Sequence, residues 1–215
     1  NVEYFYSKKK EELPTGTCLI LITPDSERTM CTFLGTAGKI NEHDVNSEVI
    51  KNSEIIFLEG YLWDEGEPRD AFNKALKVSK RAAMSLSDKF CVDRHKQSFL
   101  KMVKDDLDIT FANEQEITSL INAKSFKEVI DFAKNTNKMI VITRGQNGSI
   151  AIHSNKVFEC ESKNNLNIID LTGAGDLFAA GFLNGYINKK TIGESLYNGT
   201  EMASKVIQII GARLK

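Results

Sequence analysis

Short apolar runs alternate with stretches whose apolar residues recur at helical spacing along most of this 215-residue chain. Runs at 53–58, 83–87, 109–113 and 139–143 read as strands, and residues 69–81, 95–103, 114–121 and 125–135 read as helices. Near-continuous apolar strands such as Met139-Ile140-Val141-Ile142-Thr143 suit burial on both faces, the situation of a parallel sheet covered by helices. Two further runs, 149–153 and 156–160, flank Ser154-Asn155 and read as a hairpin, and two helices, 174–188 and 192–210, close the chain. Ahead of the alternating region, residues 17–35 hold two β-rich runs around Pro24-Asp25-Ser26-Glu27. They read as a hairpin with poor alternation, so that both of its faces can be covered. The pattern predicts an α/β fold with a mostly parallel sheet.

Residues 167–188 carry the densest chemical signal. Ile168-Ile169 reads as a short strand ending at Asp170, followed by the corner Thr172-Gly173-Ala174-Gly175-Asp176 and then Phe178, Phe182, Leu183 and Tyr186 at helical spacing. The first N–H groups of a helix lack intrahelical partners, and the helix dipole makes their surroundings positive. Gly173 and Gly175 let the backbone bend and leave room for an anion, so the amides of Gly173, Ala174 and Gly175 can converge on a phosphate. Asp176 then falls in the first turn. A carboxylate beside an anion needs a task, and taking the proton from an attacking hydroxyl is one. The same residues also suit a plain turn with Asp176 as a helix cap.

Asp170-Leu171-Thr172-Gly173-Ala174-Gly175-Asp176-Leu177-Phe178, with Gly181 beyond it, closely resembles the C-terminal signature of the ribokinase-like sugar and nucleoside kinases, the phosphofructokinase B family. That resemblance implies a three-layer α/β/α sandwich with a small β lid. It implies Asp176 as catalytic base and the Gly173, Ala174 and Gly175 amides as an anion hole for the transferred phosphoryl group, with Thr172 beside the nucleotide. Leu171 departs from the threonine common at its position.

Two more motifs follow predicted strands, where ligands bind in open α/β sheets. Asn113-Glu114-Gln115-Glu116 is by itself a helix capping box, a device repeated at Ser125 to Glu128 and Thr191 to Glu194. Its place resembles the family's N-x-x-E motif, which implies that Asn113 and Glu116 organise magnesium and phosphate, Glu116 through water. Thr143-Arg144-Gly145-Gln146-Asn147-Gly148 is equally a glycine-bearing turn into the next hairpin. It resembles the family's T-K/R-G-x-x-G, which implies that Thr143, Arg144, Gly145 and Gly148 border the nucleotide. The three motifs keep the family's order and spacing. The final helix, with Thr200 where many relatives carry asparagine, would wall the adenine pocket, and some relatives also bind a monovalent cation such as potassium near the anion hole.

By the same resemblance, residues 1–40 correspond to part of a lid and residues 41–215 to an ATP-binding core. A lid of this kind closes over the sugar and often mediates homodimers; an ordinary edge hairpin fits residues 17–35 as well. The family's N-terminal stretch, with a Gly-Gly motif and an acceptor-gripping aspartate, does not precede residue 17, so the chain is expected to be a truncated product. Gly60-Tyr61-Leu62-Trp63 suits either an acceptor pocket or core packing. Residues 86–95 resemble a stretch in bacterial adenosine-kinase-like relatives, but Cys91, Asp93 and His95 within it receive no catalytic role.

Composition narrows the partners. Lys plus Arg number 28 against 29 Asp plus Glu, so no overall field draws in nucleic acid or an anionic membrane, and any phosphate must be held locally. Lys8-Lys9-Lys10 with Glu11-Glu12 reads as a solvated loop. Cys18, Cys31, Cys91 and Cys160 are scattered, as are His43, His95 and His153, which points to reduced thiols in a cytoplasmic protein with no N/S metal cluster. The reading is an ATP- and magnesium-dependent kinase acting on a primary hydroxyl of a sugar or nucleoside. The alternatives are a nucleotide-binding regulatory module or inactive fragment, and a dinucleotide enzyme, which lacks its early G-x-G-x-x-G.

Overall fold

The apolar runs become strands because each residue parity along them meets a different layer of helices. The computed structural model of the protein describes residues 2–5, 12–63 and 66–214, so the basic run at 8–11 lies outside the described residues. Six strands form one sheet in sequence order: β3 (Ile56–Glu59), β4 (Ala82–Ser85), β5 (Ile109–Asn113), β6 (Met139–Thr143), β7 (Ser149–His153) and β8 (Lys156–Cys160). β3 to β6 run parallel, and β7 and β8 add antiparallel to one side. A separate two-stranded antiparallel sheet, β1 (Thr15–Ile22) with β2 (Arg28–Gly35), precedes them.

Met84, Ile140, Ile142, Ile150 and Ile152 point to one face, where Phe72, Val92, Phe99, Ile117, Leu120 and Val129 cover them. These come from α2 (Glu67–Val78), α3 (Lys89–Lys101), α4 (Glu114–Ile121) and α5 (Phe126–Asn135). Ala83, Ile109, Phe111, Met139, Val141 and Ala151 point to the other face, against Phe178, Phe182 and Leu196 of α6 (Ala174–Ile187) and α7 (Ile192–Val206). The result is the three-layer α/β/α sandwich with a mostly parallel sheet. α6 and α7 approach closely because Gly181 and Gly199 carry no side chain: a Cβ on Gly181 would lie 2.6 Å from the Asn198 carbonyl oxygen.

Several element ends differ from the sequence pattern for local reasons. α3 starts at Lys89, since the Asp88 carboxylate caps the Phe90 N–H at 2.6 Å, and it kinks at His95. A π-helical turn, Met102–Asp106, then ends it. α2 begins at Glu67, with Pro68 in the first turn where no N–H is needed. α7 stops at Val206, not at 210. A short helix, α1 (Ser47–Asn52), capped by Asn46, was not expected from the apolar pattern. Ile168-Ile169 is not a strand: this extended segment bonds to the end of α7, through Ile169 N–H to the Ile207 carbonyl at 2.8 Å, instead of joining the sheet. Among the described residues no helix is long and apolar enough to cross a membrane.

Candidate active site

The C-terminal ends of β3, β4, β5 and β6 and the start of α6 supply the polar groups. Gly173 caps α6 with φ 81° and ψ 4°, a left-handed backbone that suits glycine. A side chain there would collide as well, since its Cβ would lie 2.7 Å from the Ala212 Cβ. Asp170 ties the corner down. It is 1% exposed, and its two oxygens accept the Thr172 N–H and the Gly211 N–H, each at 2.8 Å. Burial pushes its carboxyl up, but the bonds from Thr172 and Gly211 outweigh that, and the net shift is downward, toward the charged form. Thr172 lies buried within the corner, 8% exposed.

With the corner pinned, its amides have unequal fates. The Ala174 N–H points to the Leu171 carbonyl at 3.3 Å, and Leu177 is the first residue to bond back, to Gly173 at 2.9 Å. Among the described residues, the N–H groups of Gly173, Gly175 and Asp176 meet no acceptor. Gly175 and Asp176 are exposed, and around Gly175 a Cβ would meet nothing within 4 Å. An open, donor-lined helix start can hold an anion, and the carboxylate in its first turn stands beside that space.

Asn113 and Thr143 end adjacent strands as register partners, which sets the second and third motifs side by side. Glu116 closes a full capping box: its oxygens accept the Asn113 N–H at 2.9 Å and the Asn113 side-chain amide at 2.7 Å, while the Glu116 N–H returns to Asn113 Oδ1 at 2.8 Å. The carboxyl is 5% exposed, and burial raises it to about 7 against the pull of the Asn113 N–H, with Asp88 and Glu59 adding to the rise. In the third motif Gly145 and Gly148 take φ 54° and 78°, and the Arg144 N–H bonds the Gly148 carbonyl at 2.8 Å, closing a tight exposed loop. The Arg144 side chain turns to Glu114, Nε to Oε2 at 2.8 Å. Thr200 is buried with its hydroxyl 3.3 Å from that of Ser149.

Glu59, at the end of β3, escaped the sequence reading. It accepts the Ser87 hydroxyl at 2.9 Å. Burial raises it to about 7, the Ser87 bond opposes the rise, and the charge of Asp176 adds to it. Glu59 thus senses Asp176, and Glu116 in turn senses Glu59. Ser87 holds φ 71°, and its carbonyl accepts the Tyr61 hydroxyl at 2.9 Å. Burial pushes that phenol up to about 12. Trp63, by contrast, is core: 6% exposed and edge-on to Phe72 at 5.4 Å. Cys91 is buried, and Asp93 pairs with Lys89 and Ser119.

Glu59 feels the charge of Asp176, and Glu116 that of Asp88 and Glu59, so the edge gathers carboxyl groups whose repulsion a cation would offset. Among the described residues no three His, Cys, Asp or Glu side chains converge to bind a metal directly. A lone carboxylate such as Glu116 fits magnesium, which keeps several waters and takes its other ligands from substrate phosphates.

The family model for the pfkB family carbohydrate kinases matches residues 1–215. The chain is 25% identical over 237 residues to the adenosine kinase of Schizophyllum commune, covering 99% of this chain and 68% of that one. It superimposes on a probable sugar kinase protein from Rhizobium etli CFN 42 with a TM-score of 0.92 and 33% identity, covering 96% of this chain and 64% of that one. The adenosine kinase from Sinorhizobium meliloti gives 0.90 and 34%, covering 94% and 63%. The chain therefore spans about two thirds of the length of these relatives. With its ribokinase-like fold, two of its motifs on strand ends and the third at the start of α6, it belongs to the pfkB family of carbohydrate kinases.

Proposed function

We propose that the full-length protein transfers the γ-phosphoryl group of ATP to a primary hydroxyl of a nucleoside or sugar, with Asp176 as the base. The observation that carries this is the start of α6, where unpaired amides at Gly173 and Gly175 adjoin an exposed carboxylate. Phosphoryl transfer asks little covalent chemistry of the protein and much positioning and charge stabilisation. The free amides meet the charge spread over the moving phosphoryl oxygens, and Asp176 takes the hydroxyl proton as the bond to phosphorus forms. Glu116, through water, is the residue proposed to hold magnesium, which when bound draws charge from the phosphates. Thr143, Gly145 and Gly148 border the nucleotide in this reading, and α7 walls its base, with Thr200 acting through Ser149. The acceptor proposed first is adenosine or a similar nucleoside, because two relatives named adenosine kinase match nearly the whole chain. The hairpin of residues 1–40 is proposed as part of a lid, and its two apolar faces as the surface of a homodimer.

The test is a product assay on the full-length protein with ATP, magnesium and a panel of adenosine, ribose and fructose. Asp176→Asn should lower kcat by roughly 10³-fold or more while ATP affinity stays within about twofold, as removal of a proton acceptor predicts. Undiminished turnover in that variant removes Asp176 from the mechanism. Saturable ATP binding with no product from any acceptor would favour a regulatory nucleotide-binding module instead.

A further inference from the structure

The second and third motifs are joined by a side-chain bridge that neither needs for its own turn. The register pairing of Asn113 with Thr143 brings α4 and the 143–148 loop off the sheet together, but among the described residues no backbone hydrogen bond joins the loop to the helix. Arg144 does. Its Nε donates to Oε2 of Glu114, the first residue of α4, at 2.8 Å, and its guanidinium carbon lies 3.9 Å over the ring of Phe126 on α5. The two charged side chains are 24% and 38% exposed, so water screens them only in part. A planar guanidinium held at its edge by a carboxylate and on its face by an aromatic ring keeps one orientation, which a lysine would not. On its other side the loop is tied by the Ser162 hydroxyl, which donates to the Gln146 carbonyl at 2.7 Å, so the Arg144 bridge is what holds it on the side of α4.

We propose that Arg144 is a positioning residue, which acts through Glu114 to hold the glycine loop against the first turn of α4 and does not itself touch phosphate. The proposal rests on the nucleotide site argued above, and it assigns to Glu114 a role that the N-x-x-E pattern leaves blank.

Binding of a non-hydrolysable ATP analogue with magnesium, measured by calorimetry on the full-length protein, tests the bridge independently of turnover. Arg144→Gln and Glu114→Gln should each weaken binding about 5- to 20-fold, and the double variant should be no weaker than either single one. The charge-reversed pair, Glu114→Arg with Arg144→Glu, should recover part of the loss. In steady state the loss should fall on the KM for ATP, with kcat within about twofold. Weakening by Arg144→Gln alone, with Glu114→Gln at the wild-type value, would overturn the proposal in favour of direct phosphate contact. Additive losses would overturn it too. If the wild type binds the analogue yet makes no product, the kinase reading fails while the bridge is still judged on binding; a wild type that binds no nucleotide overturns both.

Discussion

Gly175→Ala separates what the α6 corner does for stability from what it does for phosphate. Gly175 is the second residue of α6 and has an ordinary helical backbone, and a Cβ there would meet no heavy atom within 4 Å. Replacing glycine by alanine at such a place favours the folded state by about 0.4–1 kcal/mol. For a chain of this size that is a rise in Tm of roughly 1–4 °C. The new methyl, however, tilts toward the helix N-terminus, because Cβ atoms point that way along a helix. It would enter the space in which a phosphoryl group approaches the free amides. Loss of one well-aimed donor at such a site is worth roughly 10²- to 10³-fold in rate. The variant should therefore melt higher and turn over at least about 10²-fold more slowly. Gly173→Ala is the control: with φ 81° and Ala212 Cβ only 2.7 Å from the new atom, backbone strain and overpacking together cost about 2–5 kcal/mol. Differential scanning calorimetry and the ATP-dependent product assay read both quantities. A Gly175→Ala protein that is stabilised and keeps wild-type kcat/KM would refute the placement of the phosphoryl group at this corner.

Stability should depend on pH through Glu59 and Glu116. Both folded-state values, about 7, lie above the ordinary 4.5, so the native chain keeps protons that the unfolded chain has released. Their contribution is fully present below pH 4.5 and is lost as pH rises through about 7. Glu116→Gln retains a capping side chain and removes one titration, so the fall in Tm over that window should become shallower; an unchanged slope would show that Glu116 is not the group responsible. Leu19 and Phe33, 63% and 48% exposed on the β1–β2 hairpin, should carry the homodimer if the lid forms one. Leu19→Glu with Phe33→Glu should then shift the full-length protein to monomer in sedimentation at fixed concentration, and an unaltered distribution would exclude this face.

The elements best read from the sequence are those in which local chemistry and burial agree. β5 to β8 and α4 keep their expected ends because the strands are apolar on both parities and Asn113 with Glu116 caps the helix from within four residues. Where an end depends on a distant partner, the pattern failed. Ile168-Ile169 has the composition of a strand, but the Ile169 N–H goes to the Ile207 carbonyl after α7 and the Ile168 carbonyl accepts the Ser26 hydroxyl, and no neighbour within the segment signals that. α3 was drawn six residues short because Lys89 and Phe90 interrupt the apolar spacing, while the cap that starts it, Asp88, is a single residue easily read as loop.

The same distinction runs through the site. Gly173, Gly175 and Asp176 are legible because an anion cradle needs glycines, a helix start and a carboxylate within one short stretch. Glu59 is not legible, for a glutamate closing a strand is ordinarily a solvated end, and its significance arises only when folding sets it beside Asp176 and brings Glu116 within its field. That neighbour changes the electrostatic argument. A lone aspartate beside phosphate would be opposed only by the incoming negative charge, whereas here Glu59 already faces it, and Glu116 lies in turn within the field of Glu59. Proton uptake by Glu59 and Glu116 near neutral pH relieves part of that crowding without metal, and a divalent cation arriving with nucleotide would relieve it by expelling those protons. Nucleotide binding should therefore release protons when measured near pH 7, in proportion to how far Glu59 and Glu116 are protonated beforehand. Calorimetric titration in buffers of different ionisation enthalpy reads that release directly. A heat independent of buffer would mean that the carboxyl groups stay as they were and that the cation does not answer this cluster.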